Sequence, residues 1–193
     1  MQYAASFVGW SNTGKTFLIS QLVQIFTERG TRVGTLKKGH SAPNFEQQGK
    51  DTELFFQNGA ERVGYISEHG GFIRFSAPPP FDQLKMYFAS CDVLLLEGIC
   101  IPDIPCFELI HSVDHPATTK YPPDQLTAYI ATEFNTKRLA TGNNIQQARA
   151  QAHTQAQAHK PTNMEQLPIL PASKPDLIIR FLEELWNEES ASK

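Results

Sequence analysis

The sequence predicts an α/β fold: a mostly parallel sheet flanked by helices, with an added β-hairpin. Three observations carry that reading. The chain opens on an apolar run, a glycine-containing loop, a helical repeat and a second strand, which is a βαβ unit and implies parallel strands. Val93-Leu94-Leu95-Leu96 is apolar throughout, as expected for a central strand buried on both faces. Between these, two β-rich stretches flank Glu68-His69-Gly70-Gly71, a hairpin signal.

In chain order, residues 3–8 read as the first strand. Phe17, Leu18, Ile19, Leu22, Val23, Ile25 and Phe26 recur at helical spacing, and Gly30 closes that helix as a C-terminal cap. Residues 31–36 form the second strand. Residues 39–50 are a polar loop, and Asp51-Thr52 caps a short helix running to Asn58-Gly59. Strands at 62–66 and 72–75 make the hairpin. Pro78-Pro79-Pro80 breaks the chain before a helix ending near Ala89. Further strands are expected at 106–111 and 127–132, and a final amphipathic helix over 176–186. Residues 143–166 are rich in Gln and Ala, with Ile145 and Met164 as the large apolar side chains. This stretch is expected to be an insertion in an otherwise single domain spanning 1–193.

Composition excludes several classes. With 193 residues and 40% hydrophobic content the chain can bury a core without staples. Lys+Arg number 17 against 20 Asp+Glu, a formal net charge of −3, so a nucleic-acid binder relying on a general positive field is disfavoured. No apolar run approaches the roughly 18 residues of a membrane span, and the N-terminus does not read as a secretory signal, so a cytoplasmic protein without a membrane partner is expected. Cys91, Cys100 and Cys106 form no C-x-x-C pair and read as reduced, small hydrophobes. His111 and His115 stand four residues apart without helical context, too weak a pattern for a metal site.

The chemistry starts at Gly9-Trp10-Ser11-Asn12-Thr13-Gly14-Lys15-Thr16, which fits G-x-x-x-x-G-K-S/T at every fixed position, with a strand before it and a helix after. This narrows the fold to a P-loop NTPase. Gly9 and Gly14 let the backbone wrap closely around phosphate, and Asn12 tolerates left-handed conformations. Backbone N–H groups along Ser11, Asn12 and Thr13 and the helix N-terminus favour an anion. Lys15 is expected to reach the β- and γ-phosphates, and the Thr16 hydroxyl to ligate Mg²⁺. A P-loop also needs a carboxylate on the metal side. Asp92 and Glu97 stand about 16 Å apart along one strand, so they cannot share a site. Ligands bind at the carboxyl ends of the strands, which selects Glu97, with Gly98 letting the backbone approach the γ-phosphate. Lys37 and His40, at the end of the second strand, are candidates for phosphate or an anionic partner, and Asp51 for a Mg²⁺-bound water. An ordinary basic turn and a helix cap fit those three equally well.

The order G-W-S-x-T-G-K-T, then Lys37 and His40, then Gly49-Lys50-Asp51-Thr52 with a following Asn58-Gly59-Ala60, then Asp92 through Glu97-Gly98, resembles the molybdopterin-guanine dinucleotide biosynthesis protein B (MobB) family. The likeness covers about residues 3–135 and resumes at Leu167-Pro168-Ile169-Leu170 and the last helix. It departs at Lys37-Lys38-Gly39-His40, where the family carries a histidine cluster followed by an acid, and at Cys100, where the family has a basic residue. The resemblance implies a GTP-binding adapter of molybdenum cofactor maturation with weak Mg²⁺-dependent GTPase activity. It would work beside the guanylyltransferase that attaches GMP to molybdopterin, as a homodimer joined through the hairpin. No N-K-x-D string selects guanine; by position, Thr132 and Glu133 could face the base. The alternative reading is a P-loop small-molecule kinase or ATP-dependent ligase, although the chain lacks a cluster of arginines after the P-loop.

Overall fold

Six parallel strands form the main sheet of the computed structural model, in the order β2-β5-β1-β6-β7-β8. They are β1 (Tyr3–Val8), β2 (Val33–Lys37), β5 (Val93–Glu97), β6 (Cys106–Ser112), β7 (Ala128–Glu133) and β8 (Ile169–Pro171). The structure describes residues 3–39, 51–112, 119–133 and 167–191; His40, Lys50 and the Gln/Ala-rich stretch 143–166 lie outside these. Contacts divide the chain into two units, Met1–Lys38 with Ser90–Lys193, and Gly39–Ala89.

In the larger unit, helix α1 (Lys15–Glu28) and the C-terminal helix α4 (Pro175–Ala191) cover one face of the sheet. Alternation along each strand sends Ala5, Phe7, Leu95, Phe107, Leu109 and Ile130 to that side. They meet Leu18, Leu22 and Phe26 of α1 and Ile178, Ile179, Leu182 and Trp186 of α4. The Trp186 indole stacks on Tyr3 at 5.1 Å between ring centres, and its Nε1–H donates to the Ala4 carbonyl at 3.1 Å. A polar edge on a buried aromatic is thereby satisfied. The opposite face buries Val8, Cys106, Ile110, Leu126, Tyr129, Ala131 and Leu167. Val93 to Leu96 are all buried, as their unbroken apolar run requires. α1 ends where expected: Gly30 has φ +79°, a left-handed value that a side chain disfavours, and its N–H donates to the Thr27 carbonyl at 2.9 Å.

In the smaller unit, α2 (Asp51–Gln57) is followed by the antiparallel hairpin β3 (Arg62–Ser67) and β4 (Gly70–Phe75), then α3 (Phe81–Tyr87). Arg74 ties β4 to α2: its guanidinium pairs with Glu53 and lies 3.7 Å over the Phe56 ring. A Cβ at Gly71 would stand 2.3 Å from the Tyr65 carbonyl oxygen, so the strand crossing there needs glycine. Tyr65, Ile66 and Ile73 are exposed on the hairpin.

Three details differ from the sequence reading. β8 was not expected: it has three residues, beside Pro168 and ending on Pro171, and prolines fit only an edge strand, which is its place beside β7. The second strand begins at Val33 rather than residue 31. Asp51 is the first residue of α2 itself rather than the residue before it.

Asp92 sits at the amino end of β5. Its carboxylate accepts from the Arg32 backbone N–H at 2.9 Å and from the Arg32 guanidinium at 2.6 and 3.0 Å. These bonds hold its carboxyl well below the ordinary value, at about 2. A carboxylate lowered on folding adds stability above its unfolded pKa and loses it as pH falls toward the folded value. Asp92→Asn should therefore flatten the decline in Tm between about pH 4 and pH 2. Parallel melting curves for the two proteins across that window would contradict the pairing.

Candidate functional site at the carboxyl ends of the strands

The chain order places the site before any side chain is considered. β1 lies between β5 and β6, and the strands reached from it diverge to opposite sides. The crevice beyond the carboxyl end of β1 is thus the switch point of an open α/β sheet. Gly9 to Gly14 occupy that crevice, between the end of β1 and the start of α1.

Positive φ values shape the loop: Gly9 at +131°, Asn12 at +64° and Gly14 at +82°. A Cβ at Gly9 would lie 2.6 Å from the Leu109 carbonyl oxygen, so the loop can leave β1 beside β6 only with glycine there. The Thr13 hydroxyl donates to the Trp10 carbonyl at 2.9 Å. Ser11 and Asn12 are exposed at the turn. The Lys15 ammonium is folded along the loop, donating to the carbonyls of Gly9 at 3.2 Å and Trp10 at 2.5 Å. Burial pushes its pKa down, Glu97 opposes that, and Lys120 and Lys37 push it down further.

Glu97 is the last residue of β5, and the register places it beside Lys37, the last residue of β2. Its carboxylate accepts from the Thr16 hydroxyl at 2.9 and 3.0 Å and pairs with the Lys37 ammonium at 2.9 Å. Lys37 also donates to the Thr16 hydroxyl at 3.3 Å. Three residues widely separated in sequence therefore meet at one point. Gly98 follows with φ +76°, its N–H donating to the Phe7 carbonyl at 2.9 Å. Thr16 and Glu97 together offer hard oxygen donors of the kind Mg²⁺ selects. Of the other candidates, Asp51 heads α2 in the smaller unit, exposed, and His40 lies outside the described residues.

The chain belongs to the molybdopterin guanine dinucleotide synthesis protein B family. The family model matches residues 4–132, two thirds of the chain and every described residue of the P-loop, β2 and β5. It is 27% identical over 100 residues to the molybdopterin-guanine dinucleotide biosynthesis adapter protein of Escherichia coli, covering 48% of this chain and 57% of that protein. Over 97 residues it is 32% identical to the probable adapter protein of Bacillus subtilis, covering 47% of this chain and 55% of the relative. The chain thus spans about half the length of the curated relatives it matches. Its fold is that of the crystal structure of Bacillus subtilis MobB, with a TM-score of 0.60 at 21% identity, over 92% of this chain and 96% of that one. A MobB homologue from Bacillus stearothermophilus gives a TM-score of 0.54 at 19% identity, over 96% of each chain.

Two residues at this end of the sheet were not singled out from sequence. Glu108 of β6 is fully buried, and its carboxylate accepts from the backbone N–H groups of Lys120 and Tyr121, the latter at 3.2 Å. Burial pushes its pKa up, while those two N–H groups and the Lys120 and Lys15 charges oppose the rise. Lys120 is exposed, with its ammonium 5.8 Å from the centre of the Trp10 ring. The available signal was a lone Glu inside Cys106-Phe107-Glu108-Leu109-Ile110, an acid in a strand otherwise apolar. At the end of β7, the Thr132 hydroxyl donates to the His111 carbonyl at 3.0 Å, and its methyl would lie 3.8 Å from a Cβ on Gly14. The end of β7 therefore borders the P-loop.

Proposed function

We propose that this chain is a GTP-binding adapter of molybdenum cofactor maturation, acting as a single nucleotide-binding domain in the cytoplasm. The observation that carries the proposal is the meeting of Thr16, Glu97 and Lys37 at the mouth of the P-loop, in a chain of this family. Ser11 to Thr16 offer backbone N–H groups to the phosphates, and Lys15 neutralises them. Thr16 and Glu97 would hold Mg²⁺, which when bound screens phosphate charge. Lys37 orients the Glu97 carboxylate, Gly98 leaves room for the terminal phosphate, and the remaining roles assigned are phosphate or an anionic partner for His40 and a Mg²⁺-bound water for Asp51. Thr132 and Glu133 are assigned to the base. Hydrolysis is slow, since Lys15 and Glu97 provide electrostatic stabilisation without an arginine cluster. The partners are the guanylyltransferase that joins GMP to molybdopterin, molybdopterin itself, and a second copy of the chain. Exposed Tyr65, Ile66 and Ile73 on the hairpin support the last of these.

The test is reconstitution. Guanylyltransferase, molybdopterin and Mg²⁺·GTP should form the dinucleotide faster when the purified chain is added, and Lys15→Ala should not reproduce the gain. No change at any ratio of chain to transferase would contradict the adapter role.

A further inference from the structure

Glu108 and Lys120 take no part in the contacts among Thr16, Glu97 and Lys37, and their placement is unusual. A fully buried carboxylate is costly to desolvate. Here it sits in β6 in register with Val8, the residue that launches the P-loop, and with Tyr129 of β7. Its hydrogen-bond donors are two consecutive backbone N–H groups, those of Lys120 and Tyr121. An ionised carboxylate can accept both at once, whereas an amide offers a single acceptor oxygen. The effect is to pin one turn of a distant loop against the base of the P-loop.

The turn presents a cation. The Lys120 ammonium stands 5.8 Å from the centre of the Trp10 ring, and the Trp10 carbonyl is the group 2.5 Å from the Lys15 ammonium. Lys15 and Lys120 thus converge on one P-loop residue, and Lys37 is held nearby through Glu97 and Thr16. Like charges gathered in this way repel; Lys120 is among the groups that push the Lys15 pKa down. A polyanion between them turns that repulsion into attraction.

We infer that Lys120 is a third cation of the phosphate site, meeting the terminal phosphate of a nucleoside triphosphate, and that Glu108 is the residue that positions it. The inference rests on the nucleotide-binding reading above. Lys15 serves the β- and γ-phosphates, so an ammonium beside it counts more for a triphosphate than for a diphosphate.

The experiment is a calorimetric titration of the full chain with Mg²⁺·GTP and with GDP. Lys120→Ala removes exposed atoms, so its Tm should match the parent. Its GTP affinity should fall by about tenfold, the size of one lost charge-assisted contact, and its GDP affinity by a smaller factor. Lys120→Arg should restore GTP binding. Glu108→Gln should show the same selective loss, and combining it with Lys120→Ala should add little, because both act through one ammonium. Parental GTP affinity in Lys120→Ala, equal losses for the two nucleotides, or no rescue by arginine would overturn the inference. If the parent chain itself binds neither nucleotide, the underlying reading fails and this one with it, and that failure is visible in the parent arm alone.

Discussion

Lys15→Ala should lower triphosphate affinity by about 100-fold or more while leaving the fold intact. The ammonium is the P-loop's one side-chain cation, and it is already gathered against the Gly9 and Trp10 carbonyls, within the loop that would wrap the phosphates. Charge-assisted hydrogen bonds at a partly buried site contribute roughly 1.5–3 kcal/mol each, and Lys15 can make more than one to a polyphosphate. Every 1.4 kcal/mol is about tenfold in affinity, so two such bonds reach the stated size. The variant gives up no core contact: Leu18, Ile19, Leu22 and Phe26 carry the packing of α1. A matching thermal melt with lost binding is the expected pair of results. Unchanged binding would mean that the anion sits elsewhere.

The second large effect concerns Glu97. Glu97→Gln preserves size and can still accept from the Thr16 hydroxyl, but it removes the charge that faces Lys37 and that is proposed to face the metal. Hydrolysis should fall by at least ~10²-fold, comparable to losing one electrostatic contributor at a reacting centre. Affinity should fall less, since the P-loop backbone and Lys15 remain. Asp92→Asn is the control at the far end of the same strand, engaged with Arg32, and should hydrolyse GTP at the parental rate. An inactive Asp92→Asn beside an active Glu97→Gln would contradict the assignment of the metal side.

Much of this arrangement was legible in the sequence because it depends on local chemistry and strand direction. The P-loop glycines are dictated by φ, and the positions of Glu97 and Asp92 at opposite ends of the sheet follow once β5 is known to run parallel to β1. The pair formed by Lys37 and Glu97 was not legible. It requires β2 to neighbour β5 rather than β1, a fact of sheet order that no local pattern encodes. Glu108 and Lys120 were hidden for the same reason: a buried acid can be spotted, but its donors lie twelve and thirteen positions later in the chain. β8 was missed because a three-residue strand that follows Pro168 and ends on Pro171 carries no readable alternation. The family resemblance covered the region that the family model matches, residues 4–132.

The central claim is that Thr16 and Glu97 form the metal side of a P-loop triphosphate site. The measurement that bears on it most directly is a crystal structure of the chain with Mn²⁺ and a non-hydrolysable GTP analogue, with anomalous data collected for manganese. One anomalous peak is expected at the Thr16 hydroxyl on the Glu97 side, with the triphosphate enclosed by residues 9–16. A triphosphate bound away from that loop, or manganese found remote from both Thr16 and Glu97, would contradict it.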